Sequence, residues 1–114
     1  MREIDSDLYF FVIYCDACPG YSLTFLDTFT GSKFTLPSSE NWIIDAGTQY
    51  PGGAPRWGNN EFEIYTNSTW NIHINADNQL AIIPRLVDGV WTSGRIESQR
   101  SDFQAKEGGR LYIH

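Results

Sequence analysis

Cysteine is almost missing: Cys15 and Cys18 are the only two in 114 residues. A structural zinc site takes four Cys or His ligands, and no second pair accompanies these two. A redox Cys-x-x-Cys opens a helix after a strand, whereas Pro19-Gly20 follows at once here and predicts a turn. A strained local disulfide or two idle thiols remain. Basic residues are scarce as well, 8 Lys plus Arg against 14 Asp plus Glu, for a net charge of −6. So acidic a chain lacks the electrostatic footprint for phosphate backbones or anionic lipid, which excludes nucleic acid and membrane surfaces as expected partners. No apolar run approaches the ~20 residues of a membrane span. The N-terminal run, Leu8 to Tyr14, lacks the positive region that opens a signal peptide, since Glu3, Asp5 and Asp7 dilute Arg2. It reads equally as a buried strand or a mis-started reading frame. Missing too are a Gly-x-Ser-x-Gly elbow, a phosphate-cradling glycine loop and an amphipathic helix of useful length.

Aromatic residues, by contrast, are abundant: 7 Phe, 6 Tyr and 4 Trp. That content predicts a globular chain, and the length allows one domain at most. Tyr21 to Phe25 alternates apolar and polar residues as a half-buried strand does. Thr30 to Lys33 predicts a turn, Pro37 to Ser39 a loop, and Asn41 to Asp45 a short strand. Residues 46–60 form a long loop with Pro51-Gly52-Gly53, Pro55 and Gly58, and loops of that kind carry function. Beyond it come short strands at Glu61 to Thr66, at Asn71 to Asn75 with His73 exposed, and at Gln79 to Leu86. The last is apolar on both faces and reads as interior. Asp88-Gly89 is the two-residue hairpin signal of a type I′ turn. Val90 to Gln99 returns with Ser93, Arg95 and Glu97 on one face, and Arg110 to Ile113 starts another strand. The pattern predicts an all-β, antiparallel sandwich. Because His114 follows directly on that apolar strand, the expectation is an incomplete domain.

Few residues offer chemistry. Glu61 and Glu63 lie roughly 7 Å apart along one strand face, a spacing that an acid–base pair of a glycosidase could use. Solvated surface glutamates are the plainer reading. His73 has only Asn71 and Asn75 beside it, and no acid to orient its ring. More informative are Arg56-Trp57-Gly58-Asn59-Asn60, Trp91 and Arg95. Flat rings meet the C–H faces of sugars, and amides and guanidinium groups read hydroxyls. Alternatively, both tryptophans are core or rim residues and Arg95 is salt-bridged. Asn67-Ser68-Thr69 is a glycosylation sequon.

In order along the chain, Pro19-Gly20-Tyr21-Ser22-Leu23-Thr24-Phe25, Asp27-Thr28-Phe29, Asn41-Trp42, Arg56-Trp57-Gly58-Asn59-Asn60-Glu61, Tyr65-Thr66 and Trp91 to Ser98 resemble glycoside hydrolase family 16. The closest likeness is to its fungal-type, laminarinase-like endo-β-1,3(4)-glucanases, and to their N-terminal half only. Residues 1–18 stand outside the resemblance, which takes in residues 19–114. It implies a concanavalin A-like jelly roll with a concave cleft for a β-glucan chain, and secretion of the parent protein. It also implies sugar contacts at Asn59 or Asn60 and at Arg95, with Trp57 as a stacking platform. The family's catalytic Glu-x-Asp-x-x-Glu strand has no counterpart in this sequence, since Glu61 to Thr66 fails at the aspartate and at the last glutamate. No catalytic residue, cofactor or metal ligand is therefore carried over. The expectation is a glucanase fragment, inactive alone. The alternatives are a non-catalytic carbohydrate-binding module and a self-associating chain that pairs open sheet edges.

Overall fold

The computed structural model describes residues 20–113, so Cys15, Cys18 and the Leu8 to Tyr14 run lie outside the described residues. Seven short strands and one 3₁₀ turn follow in order: β1 (Trp42–Asp45), the turn (Pro55–Gly58), β2 (Ile64–Tyr65), β3 (Ile72–Ile74), β4 (Leu80–Ile82), β5 (Arg85–Val87), β6 (Val90–Ser93) and β7 (Arg95–Ser98). The chain is all-β, as its alternation predicts.

Antiparallel pairing of β1 with β7 sets Asp45 opposite Arg95, Ile44 opposite Ile96 and Ile43 opposite Glu97. Because side chains alternate across a strand, one face carries Trp42, Ile44 and Ile96, and the other Ile43, Asp45, Arg95 and Glu97. The first face is the core face. Phe29, Trp42 and Ile74 are buried together there, with Phe25, Leu80 and Ile96 packed against them. Ile74 and Leu80 belong to the antiparallel pair β3–β4, so two layers close face to face as in a sandwich. Asp27 pins this core at one end. Its carboxylate accepts hydrogen bonds from the Phe29 amide (2.8 Å), the Asn41 amide (3.0 Å) and the Trp42 indole (2.7 Å). Burial of the tryptophan therefore leaves its polar edge satisfied.

The third unit is β2–β6–β5. Its hairpin turns at Asp88 (φ 50°) and Gly89 (φ 78°), both left-handed, with Val87 opposite Val90. That is the type I′ geometry predicted from the dipeptide. On the other side of β6 lies β2, in parallel register, Tyr65 beside Ser93. Buried Asn71 ties the layers together. It donates to the Ile83 carbonyl and the Thr92 hydroxyl (both 3.1 Å) and accepts from the Thr66 hydroxyl (2.6 Å).

Several sequence expectations are corrected. Tyr21 to Phe25 and Arg110 to Ile113 form no ladder among the described residues. The continuous interior strand of Gln79 to Leu86 is two strands, β4 and β5, parted at Pro84, which has no N–H to donate to a ladder. Leu86 is exposed rather than interior. His73, read as exposed, is buried, with its ring beside that of Phe34 (centroids 5.3 Å). Its Nδ1 donates to the Thr69 carbonyl (2.7 Å).

Candidate functional site

The polar face of β1–β7 is where the long loop folds back. Just past β1, Gly47 forms an isolated antiparallel bridge to Tyr65, and the Trp57 amide donates to the Thr48 carbonyl (3.1 Å). To make that return, Arg56 (φ 50°) and Trp57 (φ 57°) both adopt left-handed backbone, an uncommon and costly state for residues with side chains. The outcome is a cluster around Arg95. Its guanidinium carbon lies 4.2 Å from the centre of the Trp57 ring, 5.7 Å from Tyr65 and 6.0 Å from Tyr50. Tyr50 and Tyr65 meet the Trp57 ring edge-to-face at 4.7 and 5.7 Å. Three aromatic rings thus form a box with a cation in it, an arrangement stabilised by the ring quadrupoles.

Carboxylates complete the box. Arg95 Nε is 3.4 Å from Asp45 Oδ2, and Nη1 is 3.6 Å from Glu61 Oε1. The Tyr50 hydroxyl donates to Glu97 Oε2 at 3.0 Å and lies 3.4 Å from Asp45 Oδ2. Burial pushes the Asp45 carboxyl above its ordinary range and Glu97 adds to this, with Arg95 and Tyr50 only partly opposing. Glu61 moves the other way. The Tyr65 hydroxyl and then the Asn59 amide (2.8 Å) hold it below the usual carboxylate range, and Arg95 assists. Arg95 loses some preference for charge through burial, but Tyr50, Glu61 and Asp45 raise its pKa overall.

The structure thus brings Trp57, Asn59 and Arg95 together. Asn60 follows Asn59 at the exposed tip, in left-handed backbone (φ 62°). Trp91 is 44% exposed on β6. Asn67 is exposed in the loop between β2 and β3, apart from this cluster. Glu61 and Glu63 precede β2 and share no strand face, and Glu61 is not a solvated surface glutamate. Glu61 is tied to Asn59 and Arg95, and its lowered pKa is the wrong direction for a general acid. Sequence reasoning missed Asp45 and Tyr50. A lone acid ending the apolar run Trp42 to Ile44 was the available signal for the first. Tyr50 carried none, because only the loop's return path places it. No group of three or more His, Cys, Asp or Glu among the described residues is arranged to hold a metal ion.

No protein-family model matches the chain, and no curated protein matches it. Among solved structures it is similar to the 1.5 Å crystal structure of an endo-1,3-β-glucanase from Streptomyces sioyaensis, with a TM-score of 0.77 and 43% identity over 83% of this chain. The chain spans 34% of that protein's length. Over most of its residues, then, this all-β chain is similar to about a third of an endo-1,3-β-glucanase.

Proposed function

We propose that this chain is the sugar-contacting part of a β-glucan hydrolase of the glycoside hydrolase family 16 kind, with β-1,3- or mixed β-1,3/1,4-glucan as ligand. The observation that carries this reading is the 43% identity to an endo-1,3-β-glucanase across 83% of the chain. The chemistry of the site supports it. One guanidinium faces Asp45 and Glu61, with Glu97 next to them, so the site as a whole is acidic and unsuited to anions. A neutral polyol fits, with N–H donors from Arg95 and amide groups of Asn59 and Asn60 reading its hydroxyls. The Glu-x-Asp-x-x-Glu pattern occurs nowhere in the 114 residues, so the chain by itself binds glucan without cleaving it. Since the ligand is a polymer, the parent enzyme works outside the cell, where exposed Asn67 is open to glycosylation.

Calorimetric titration of the chain with laminari-oligosaccharides tests this. Binding is expected, and Arg95→Ala should weaken it about tenfold or more, the ~1.4 kcal/mol of a lost charged hydrogen bond. A reducing-sugar assay should stay at background. Lack of affinity for any β-glucan, or an Arg95→Ala variant that binds like wild type, defeats the proposal. A second reading, self-association, draws on the exposed apolar hairpin of Leu86, Val87 and Val90. Concentration-dependent sedimentation together with absent glucan binding would favour it.

A further inference from the structure

We infer that the ring on which the sugar stacks is Trp91, and that Trp57 is a positioning residue that acts through Arg95. The inference rests on the glucan-binding reading above and assigns roles within it.

Trp57 is poorly placed to receive a sugar. One face carries the Arg95 guanidinium at 4.2 Å, and Tyr50 and Tyr65 abut the ring. Its indole nitrogen is buried without a hydrogen-bond partner among the described residues, out of reach of a ligand hydroxyl. Stacking needs an open face, and donation needs an accessible N–H. What Trp57 does offer is a rigid support that fixes where the guanidinium points.

Trp91 has the opposite surroundings. It is 44% exposed, and two observations set which way it faces. The Thr92 hydroxyl accepts from Asn71, and a methyl at Gly94 would meet Ile72 Cβ at 2.9 Å, so residues 92 and 94 face β3. By alternation, Trp91, Ser93, Arg95 and Glu97 face the other way. Pairing agrees: Ser93 lies beside Tyr65, a wall of the Arg95 box, and Leu86 lies opposite Trp91. Trp91 and Arg95 therefore share one face, four residues or roughly 13 Å apart along the chain at about 3.3 Å per residue. That separation suits a polymer of more than one sugar ring, held by its hydroxyls at Arg95 and by a C–H face at Trp91. Exposed Trp91 and Leu86 lie on the same face as the polar Arg95 site, which favours an amphipathic glucan over a second polypeptide.

The test is laminaripentaose binding to the full chain, followed by tryptophan fluorescence and by calorimetry. Trp91→Ala should weaken binding about tenfold at an unchanged melting temperature. Trp91→Phe should remove the ligand-induced emission change while retaining part of the affinity. Trp57→Ala should weaken binding while keeping the emission change, and Trp57→Phe, which restores a flat ring under the guanidinium, should recover most of the affinity; a Trp57→Ala variant that binds like wild type overturns the positioning role. Combined with Arg95→Ala, Trp57→Phe or Trp57→Ala should add nothing further, whereas Trp91→Ala should still weaken binding. Wild-type affinity in Trp91→Ala overturns the inference and leaves the glucan reading intact. So does a Trp91→Ala variant that melts lower but binds normally, which would make Trp91 a packing residue of the β5–β6 hairpin. A wild-type chain that binds no laminari-oligosaccharide overturns both.

Discussion

Arg95 stands 3.4 Å from Asp45 and 3.6 Å from Glu61, yet the two carboxyl groups respond in opposite directions. Asp45 is 8% exposed and close to Glu97, so burial and repulsion outweigh its cation and raise its pKa from the ordinary 3.8. Glu61 is held by Tyr65, Asn59 and Arg95 and falls below 4.5. By linkage, the stability that Glu61 contributes is present above its ordinary value and is lost as pH falls through its lower folded value. For Asp45 the sign reverses: its contribution is complete below 3.8 and is lost as pH rises through the raised folded value. Thermal melts across the acid range should therefore show a shallower acid-side decline in Glu61→Gln. Asp45→Asn should melt no lower than wild type at neutral pH, with wild type gaining on it as the pH drops. If Asp45→Asn instead melts several degrees lower at neutral pH, the ion pair outweighs burial and this assignment is wrong.

At the level of elements, two glycines do different work. Gly89 has a φ of +78° and no atom within 4 Å of an added Cβ, so its requirement is conformational. Gly94 separates β6 from β7, and there a Cβ would meet Ile72 Cβ at 2.9 Å and the Asn71 carbonyl oxygen at 3.1 Å, a steric requirement. Gly89→Ala should cost ~1–2 kcal/mol, with Gly89→Asn recovering much of it because Asn tolerates left-handed backbone. Gly94→Ala should cost about 1–3 kcal/mol through overpacking, and Gly94→Asn more still. Chemical denaturation of the four variants checks both. The Asp88-Gly89 turn was legible beforehand because its chemistry is local. Pro84 was a legible break too, although the apolar residues on both faces of Leu80 to Ile83 hid it. Tyr21 to Phe25 misled for a different reason. Of its alternating apolar residues only Phe25 packs inward, against Trp42 (ring centroids 5.7 Å), while Tyr21 and Leu23 are exposed, so the period-two pattern marks neither a buried face nor a paired backbone.

For the molecule as a whole, a net charge of −6 and an acidic site make the ligand's own charge the discriminating property. Binding to neutral laminari-oligosaccharides should be indifferent to salt, because no counterions are displaced, whereas any phosphate or sulfate ligand would show steep salt dependence. Titrations at low and molar salt check this, and a marked loss at high salt would point to an anionic ligand instead. Sequence alone determined the all-β class, the acidic character, the hairpin at Asp88-Gly89, and the identities of Trp57, Asn59 and Arg95 as residues worth following. Those features depend on composition, on period-two alternation and on turn chemistry, all of which act over a few neighbouring residues. That Asp45 and Tyr50 join the site, that His73 is buried, and that Arg95 covers the ring of Trp57 came from long-range packing. Each of these depends on segments far apart in sequence, Asp45 against Arg95 and Tyr50 against Glu97, whose meeting is set by the packing of sheets and the return of a loop.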